Sequence, residues 1–149
     1  LGVYAGLEVI KVPGATGLYD TNYEGKADAC LDALERLDFC YVHVEAPDEA
    51  GHEGDLDLKI RTIQDLDRRL VGRVLEGLQQ RGLETSVAIL PDHPTPVELR
   101  THVRDAVPFA IRFPGQQPDS VQKYDEVSCR EGAFGEIRSG AFIRALLGR

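Results

Sequence analysis

Apolar residues follow a helical spacing in two long stretches of the chain. In residues 23–37 they recur every three or four positions, and either Thr21 or Asn22 is suited to cap the predicted helix. In residues 56–80 the apolar positions mark one face and charged residues occupy the other, which predicts a second, longer helix. Gly82 follows directly and predicts its end.

Runs of apolar and β-branched residues between turn signals predict the strands. They are expected at residues 7–12, 39–44, 84–90 and 107–113, with a short one at 126–129. A last helix is expected at 140–147, capped by Ser139. Because strands and helices alternate with long connections, the pattern predicts an α/β fold with a mostly parallel sheet flanked by helices. We expect residues 1–149 to form a single domain.

Composition limits the classes of partner. The chain has 149 residues and a net charge of -8, so a nucleic-acid partner is not expected. We also expect no membrane partner, because no apolar run reaches the roughly 20 residues of a membrane helix. Three cysteines without a CxxC motif predict reduced thiols and a cytoplasmic location. The sequence contains no methionine, so we expect it to be a piece of a longer protein.

Five side chains suggest a metal site. His52, His93 and His102 each lie at or shortly after the end of a predicted strand, in segments that predict loops. Asp48 precedes His52 by four positions, and Asp92 precedes His93 directly. Because ligands of open α/β sheets bind at strand ends, we expect these residues to meet at one edge. Mixed carboxylate and imidazole ligands favour Mn²⁺, Zn²⁺ or Fe²⁺ over Ca²⁺ or Mg²⁺.

Four other polar residues have simpler interpretations. His43 lies inside a predicted strand and is interpreted as a core histidine with its hydrogen bonds satisfied. Glu45 suits either a hydrogen bond to a ligand histidine or an ion pair. Lys59 and Arg61 suit either a phosphate or a solvated helix face. No serine lies in a nucleophile elbow, so no catalytic residue is predicted within this chain.

The order and spacing of these residues resemble a known family. They are similar to the C-terminal part of the cofactor-independent (2,3-bisphosphoglycerate-independent) phosphoglycerate mutases, in particular the archaeal-type branch, within the alkaline phosphatase superfamily. The segments that carry the likeness are residues 43–52, 92–93, 102, 12–17, 59–63 and 124–126.

The resemblance implies a metal-dependent phosphomutase of glycolysis with two divalent ions, usually Mn²⁺, with Zn²⁺ and Mg²⁺ as alternatives. Asp48, His52 and His102 would hold one ion, and Asp92 and His93 would belong to the other. In the family, the nucleophilic serine and a further aspartate lie upstream, outside this chain, and the segment that carries the substrate-binding lid is also expected to be missing from it.

The family reaction interconverts 3- and 2-phosphoglycerate through a phosphoserine, so the implied partners are a small phosphorylated substrate and the missing N-terminal part of the same enzyme. The resemblance implies that the chain alone is inactive, and that exposed strand edges favour self-association.

Three alternatives stay open. The chain could belong to another enzyme of the same superfamily, such as a phosphatase, a phosphopentomutase or a kinase-like member, because the metal-binding motifs identify the metals better than the substrate. It could be a metal-binding domain without catalytic function. Finally, Asp48, His52 and His102 could form a two-histidine, one-carboxylate iron site.

Overall fold

The computed structural model describes residues 2–138 and 140–148. The α-helices are α1 (Tyr23–Leu34), α2 (Ala46–Glu53), α3 (Leu56–Asp65), α4 (Arg73–Arg81) and α5 (Ala141–Leu146). A π-helix (Leu66–Gly72) joins α3 to α4, and a 3-10 helix covers Ser128–Glu131. The strands are β1 (Val87–Ile89) and β2 (Ala110–Arg112).

The described chain packs as two compact units. The first unit comprises residues 2–83 and 95–101, and the second comprises residues 84–94 and the described part of 102–148. The single domain predicted over residues 1–149 stays a prediction. No helix in the described residues is both long and apolar enough to cross a membrane.

The two long predicted helices are confirmed and form the core of the first unit. The first is α1, and the second is continuous through α3, the π-helix and α4. α1 packs against the π-helix and α4 through side chains that are at most 9% exposed. These are Tyr23, Ala27, Leu31, Leu70, Val74 and Leu78. Gly77 allows close packing, since a Cβ there would lie 2.3 Å from Leu31 Cδ1.

Polar groups fix the ends of these helices. The Asn22 side chain accepts a hydrogen bond from Gly25 N (2.8 Å), which confirms Asn22 as the cap of α1. Asp55 caps α3 in the same way by accepting from Leu58 N (2.9 Å). Gly82 ends α4 with φ at 65°, in the left-handed region that glycine adopts without steric cost, which confirms the predicted end.

The loop predicted around Asp48 and His52 is wrong, because these residues lie in helix α2. Pro47 and Gly51 were the turn signals for that loop. Pro47 instead occupies the first turn of the helix, where its missing N–H has no partner to lose. The helix ends at Gly54, which has φ at 73°.

The predicted parallel sheet is not confirmed. Within the described residues the only ladder is antiparallel and two-stranded, with Ala88 opposite Ile111. Residues 7–12 and 39–44 form no strand, and residues 126–129 form a turn that leads into the 3-10 helix. Strand-forming residues need a neighbouring strand to pair with, and Val9 and Tyr41 remain 59% and 61% exposed. What holds is the coarser description of helices with a small sheet.

Aromatic contacts organise the second unit. Tyr124 donates its hydroxyl to Pro108 O (3.1 Å), and the Phe109 ring contacts Phe134 and Phe142. The helix expected at 140–147 is present as α5. Its predicted cap, Ser139, lies outside the described residues.

Candidate metal centre

Asp48 and His52 lie one turn apart on α2 and face each other. The distance from His52 Nε2 to Asp48 Oδ2 is 3.4 Å. Two donor atoms bound tetrahedrally to one ion at about 2.1 Å are about 3.4 Å apart. The helix thus holds a carboxylate oxygen and an imidazole nitrogen at a separation that suits a shared cation.

The second nitrogen of His52 fixes the tautomer of the ring. His52 Nδ1 lies 3.0 Å from the carbonyl oxygen of Arg100. A carbonyl can only accept, so Nδ1 donates, and Nε2 of the neutral ring presents its lone pair. That lone pair faces a carboxylate oxygen, an arrangement that a bound cation or a proton stabilises. Metal-bound histidines commonly donate their other N–H to a backbone carbonyl in this way.

The other carboxylate oxygen of Asp48 is held by Thr95. The Thr95 hydroxyl donates to Asp48 Oδ1, and Thr95 is only 4% exposed. Lys59 Nζ in turn donates to the Thr95 carbonyl oxygen (2.5 Å). Gly51 permits this approach of α2 to Thr95, since a Cβ at position 51 would lie 2.5 Å from Thr95 O.

His102 joins the pair on α2. One ligand atom from each of Asp48, His52 and His102 lies within 4.8 Å of the other two. His102 follows Thr101 directly and is exposed, whereas Asp48 is half-buried. The three side chains together offer one oxygen and two nitrogens, a donor set that suits a divalent transition metal.

His93 and Asp92 lie beside His102 in the second unit. The rings of His93 and His102 are in contact, with centroids 3.7 Å apart and their planes tilted by 31°. Asp92 Oδ1 accepts a hydrogen bond from His93 N (3.1 Å), and its Oδ2 lies 3.5 Å from His93 Nε2. The Asp92 side chain is 66% exposed, so its carboxylate is accessible at the surface.

The interpretation of His43 as a core residue is wrong. Its side chain is 47% exposed, stacks on Tyr41, and places Nδ1 3.9 Å from Glu45 Oε1. The reason is that residues 39–44 do not form a buried strand. Arg61 is exposed, which fits a solvated helix face, while Lys59 contacts Thr95.

Sequence reasoning missed the groups that orient the ligands. Thr95 lies between two prolines shortly after Asp92 and His93, and this position was the only signal available for it. The Arg100 carbonyl that holds His52 is a backbone group, so no side-chain pattern could have identified it.

Comparisons with known proteins bear on this centre. A family model described as the metalloenzyme superfamily matches residues 2–144. Curated relatives named 2,3-bisphosphoglycerate-independent phosphoglycerate mutase include proteins from Methanothrix thermoacetophila (53% identical over 99% of this chain and 38% of the relative) and Methanosarcina acetivorans (49% identical over 99% and 37%). The resemblance predicted from the motifs is thereby confirmed. The chain spans less than two fifths of the length of these relatives.

The structure is also similar to a solved one. The PH0037 protein from Pyrococcus horikoshii superposes with a TM-score of 0.88 and is 32% identical in sequence. The match covers 96% of this chain and 42% of that protein. The fold described above therefore occurs within a longer protein.

Proposed function

The chain belongs to the metalloenzyme superfamily, and on this premise we propose that it is the metal-binding part of a 2,3-bisphosphoglycerate-independent phosphoglycerate mutase. The observation that carries the proposal is the group formed by Asp48, His52 and His102. The relatives that share this chain's sequence over 99% of its length carry that enzyme's name.

The donor set fits a divalent transition metal. In our proposal Asp48, His52 and His102 hold one ion, Asp92 and His93 contribute to a second, and both ions are Mn²⁺. Two observations support the ligands assigned to the first ion. They are the 3.4 Å separation of Asp48 Oδ2 and His52 Nε2, and the hydrogen bond that fixes the His52 tautomer. Bound cations of this kind neutralise phosphoryl oxygens and lower the pKa of an attacking hydroxyl.

The reaction we propose for the whole enzyme is the interconversion of 3- and 2-phosphoglycerate through a phosphoserine. No serine of the sequence lies in a nucleophile elbow, so in our proposal the nucleophile and most of the substrate pocket belong to a part of the enzyme outside this chain. The chain alone is then inactive. The location we propose is the cytoplasm, which the three free cysteines support.

Metal binding tests the ligand assignment directly. Calorimetric titration of Mn²⁺ into the chain is expected to show binding that weakens at least about tenfold in Asp48→Asn, His52→Gln and His102→Gln, because each variant removes a donor. His43→Gln is the matched control, since His43 is an exposed histidine that lies outside the group. Unchanged affinity in the three ligand variants would contradict the assignment.

Turnover tests the substrate. Protein expressed from the whole gene is expected to convert 3- to 2-phosphoglycerate in a coupled assay, to stop when EDTA removes the metal, and to recover with Mn²⁺. Conversion of other phosphate esters in place of 3-phosphoglycerate would identify a different enzyme of the superfamily.

A second candidate follows from the donor set itself. Two histidines and one carboxylate are the ligands of mononuclear non-haem iron sites, and Asp48, His52 and His102 match that set. Metal analysis of protein purified without chelators separates the two. Manganese near two equivalents supports the mutase, whereas iron near one equivalent supports the iron site.

A further inference from the structure

Hydrogen bonds connect helix α3 to the Asp48 carboxylate through Thr95. Lys59 on α3 donates to the Thr95 carbonyl oxygen, and the Thr95 hydroxyl donates to Asp48 Oδ1. All three residues belong to the first unit. Thr95 is 4% exposed, so water has little access to replace its hydroxyl.

The bond to Thr95 restricts the rotation of the carboxylate. An aspartate side chain rotates broadly about its last torsion, so both oxygens of a free carboxylate sample many directions. With Oδ1 held by Thr95, Oδ2 faces His52 Nε2 at 3.4 Å. The Arg100 carbonyl orients the His52 ring from its opposite edge. Both donors on α2 are therefore oriented before any ion binds.

We propose that Thr95 is a positioning residue for the metal centre, which acts by fixing the direction in which Asp48 presents its second oxygen. Lys59 supports this role by holding the main chain of Thr95 against α2, where Gly51 leaves room for it. The inference rests on the proposed function, because it assumes that Asp48 is a ligand. It assigns Lys59, a candidate phosphate contact in the sequence, to the support of the centre.

The test compares Thr95→Val with Thr95→Ser. Valine keeps the shape of threonine but removes the hydroxyl, and serine keeps the hydroxyl. Loss of an outer hydrogen-bond partner commonly weakens metal affinity by about 10- to 100-fold. We expect that loss for Mn²⁺ in Thr95→Val, measured by calorimetry on the chain. Thr95→Ser should bind within about threefold of wild type, since its hydroxyl can make the same bond.

Thr21→Val is the matched control for stability. Thr21 is 1% exposed, and its hydroxyl oxygen accepts a hydrogen bond from Thr16 N (3.0 Å). The same substitution therefore removes a buried hydroxyl that is not bonded to Asp48. Thr21→Val is expected to lower the melting temperature but to keep wild-type Mn²⁺ affinity.

The outcomes distinguish the positioning role of Thr95 from the proposed metal-binding function. If Thr95→Val binds Mn²⁺ like wild type while Asp48→Asn does not, the positioning role is wrong and the proposed function stands. If Asp48→Asn also binds like wild type, the proposed function itself fails. Equal loss of affinity in Thr21→Val would show that the loss follows from lower stability, and no rescue by Thr95→Ser would show that the hydroxyl is not the group responsible. Either result would overturn the inference.

Discussion

Replacement of Gly51 by alanine tests whether α2 must approach Thr95 as closely as the structure shows. A Cβ at this position would lie 2.5 Å from Thr95 O and 3.0 Å from Lys59 Nζ. Real Cβ atoms essentially never approach within 3.0 Å, and ordinary contact begins at 3.4 Å. The helix and the Thr95 segment must therefore separate by about 0.9 Å to reach ordinary contact.

Two opposing effects set the change in stability. Alanine favours a helix interior over glycine by about 1 kcal/mol. Overpacking against a backbone oxygen costs about 1–3 kcal/mol. Gly51→Ala should therefore lower the free energy of unfolding by about 0–2 kcal/mol. The same separation would break the hydrogen bond from Thr95 to Asp48, so we expect Mn²⁺ affinity to fall by about tenfold.

Urea denaturation and Mn²⁺ titration measure both effects, with Gly72→Ala as the control. Gly72 is also helical, but the nearest atom to its added Cβ is Asp67 O at 3.4 Å, an ordinary contact. Gly72→Ala should raise the free energy of unfolding by about 0.5–1 kcal/mol and leave the metal affinity unchanged. If Gly51→Ala gains as much stability as Gly72→Ala and binds Mn²⁺ like wild type, the reasoning about close approach is refuted.

Three further predictions concern the first unit. The hydrogen bond from Arg69 lowers the pKa of Glu24, so this pair stabilises the fold above the ordinary pKa of 4.5 and the contribution is lost as the pH falls through the lowered pKa. Glu24→Gln should lower the free energy of unfolding by about 0.5 kcal/mol at pH 7 in urea denaturation, a difference that vanishes once the pH has fallen below the lowered pKa of Glu24. Gly82→Ala should lower the free energy of unfolding by about 1–2 kcal/mol and lower the melting temperature, because φ at this position is 65°. An unchanged melting temperature would contradict this. Iodoacetamide should modify Cys40 before Cys30 when followed by mass spectrometry, because their hydrogen bond lowers the pKa of the half-exposed Cys40 to about 7 and raises that of buried Cys30.

The helices that the sequence predicted well are those with long apolar periodicity. Residues 56–80 carry that pattern over seven turns, so the helix and its end at Gly82 followed directly. The π-helix within it carries no separate pattern. α2 was missed because it has only eight residues and contains Pro47 and Gly51, which are ordinary turn signals.

The strands were predicted less well because pairing is not local. Residues 7–12 and 39–44 have strand-like composition, but a ladder also requires a neighbour, which no local pattern supplies. Residues 87–89 and 110–112 pair as antiparallel strands, and their register could not be derived from either segment alone.

The candidate site was also predictable only in part. Asp48, His52 and His102 were identifiable by residue type and spacing, and the structure brings them together, although their role as ligands stays a prediction. No pattern in the sequence indicates the Arg100 carbonyl, because it is a backbone group. For Thr95 the only signal was its position between two prolines, shortly after Asp92 and His93.

Asp48 and His52 share one short helix, and their four-residue spacing corresponds to about 6 Å of helix rise. The backbone that carries one donor also carries the other, so either side chain can be exchanged without remodelling a loop. An Asp48→His exchange would turn the carboxylate–imidazole pair into a pair of imidazoles on the same face, ligands that favour Zn²⁺, Cu²⁺ or Ni²⁺ over Mn²⁺. Helix α2 is therefore a ready starting point for engineering metal selectivity by single substitutions.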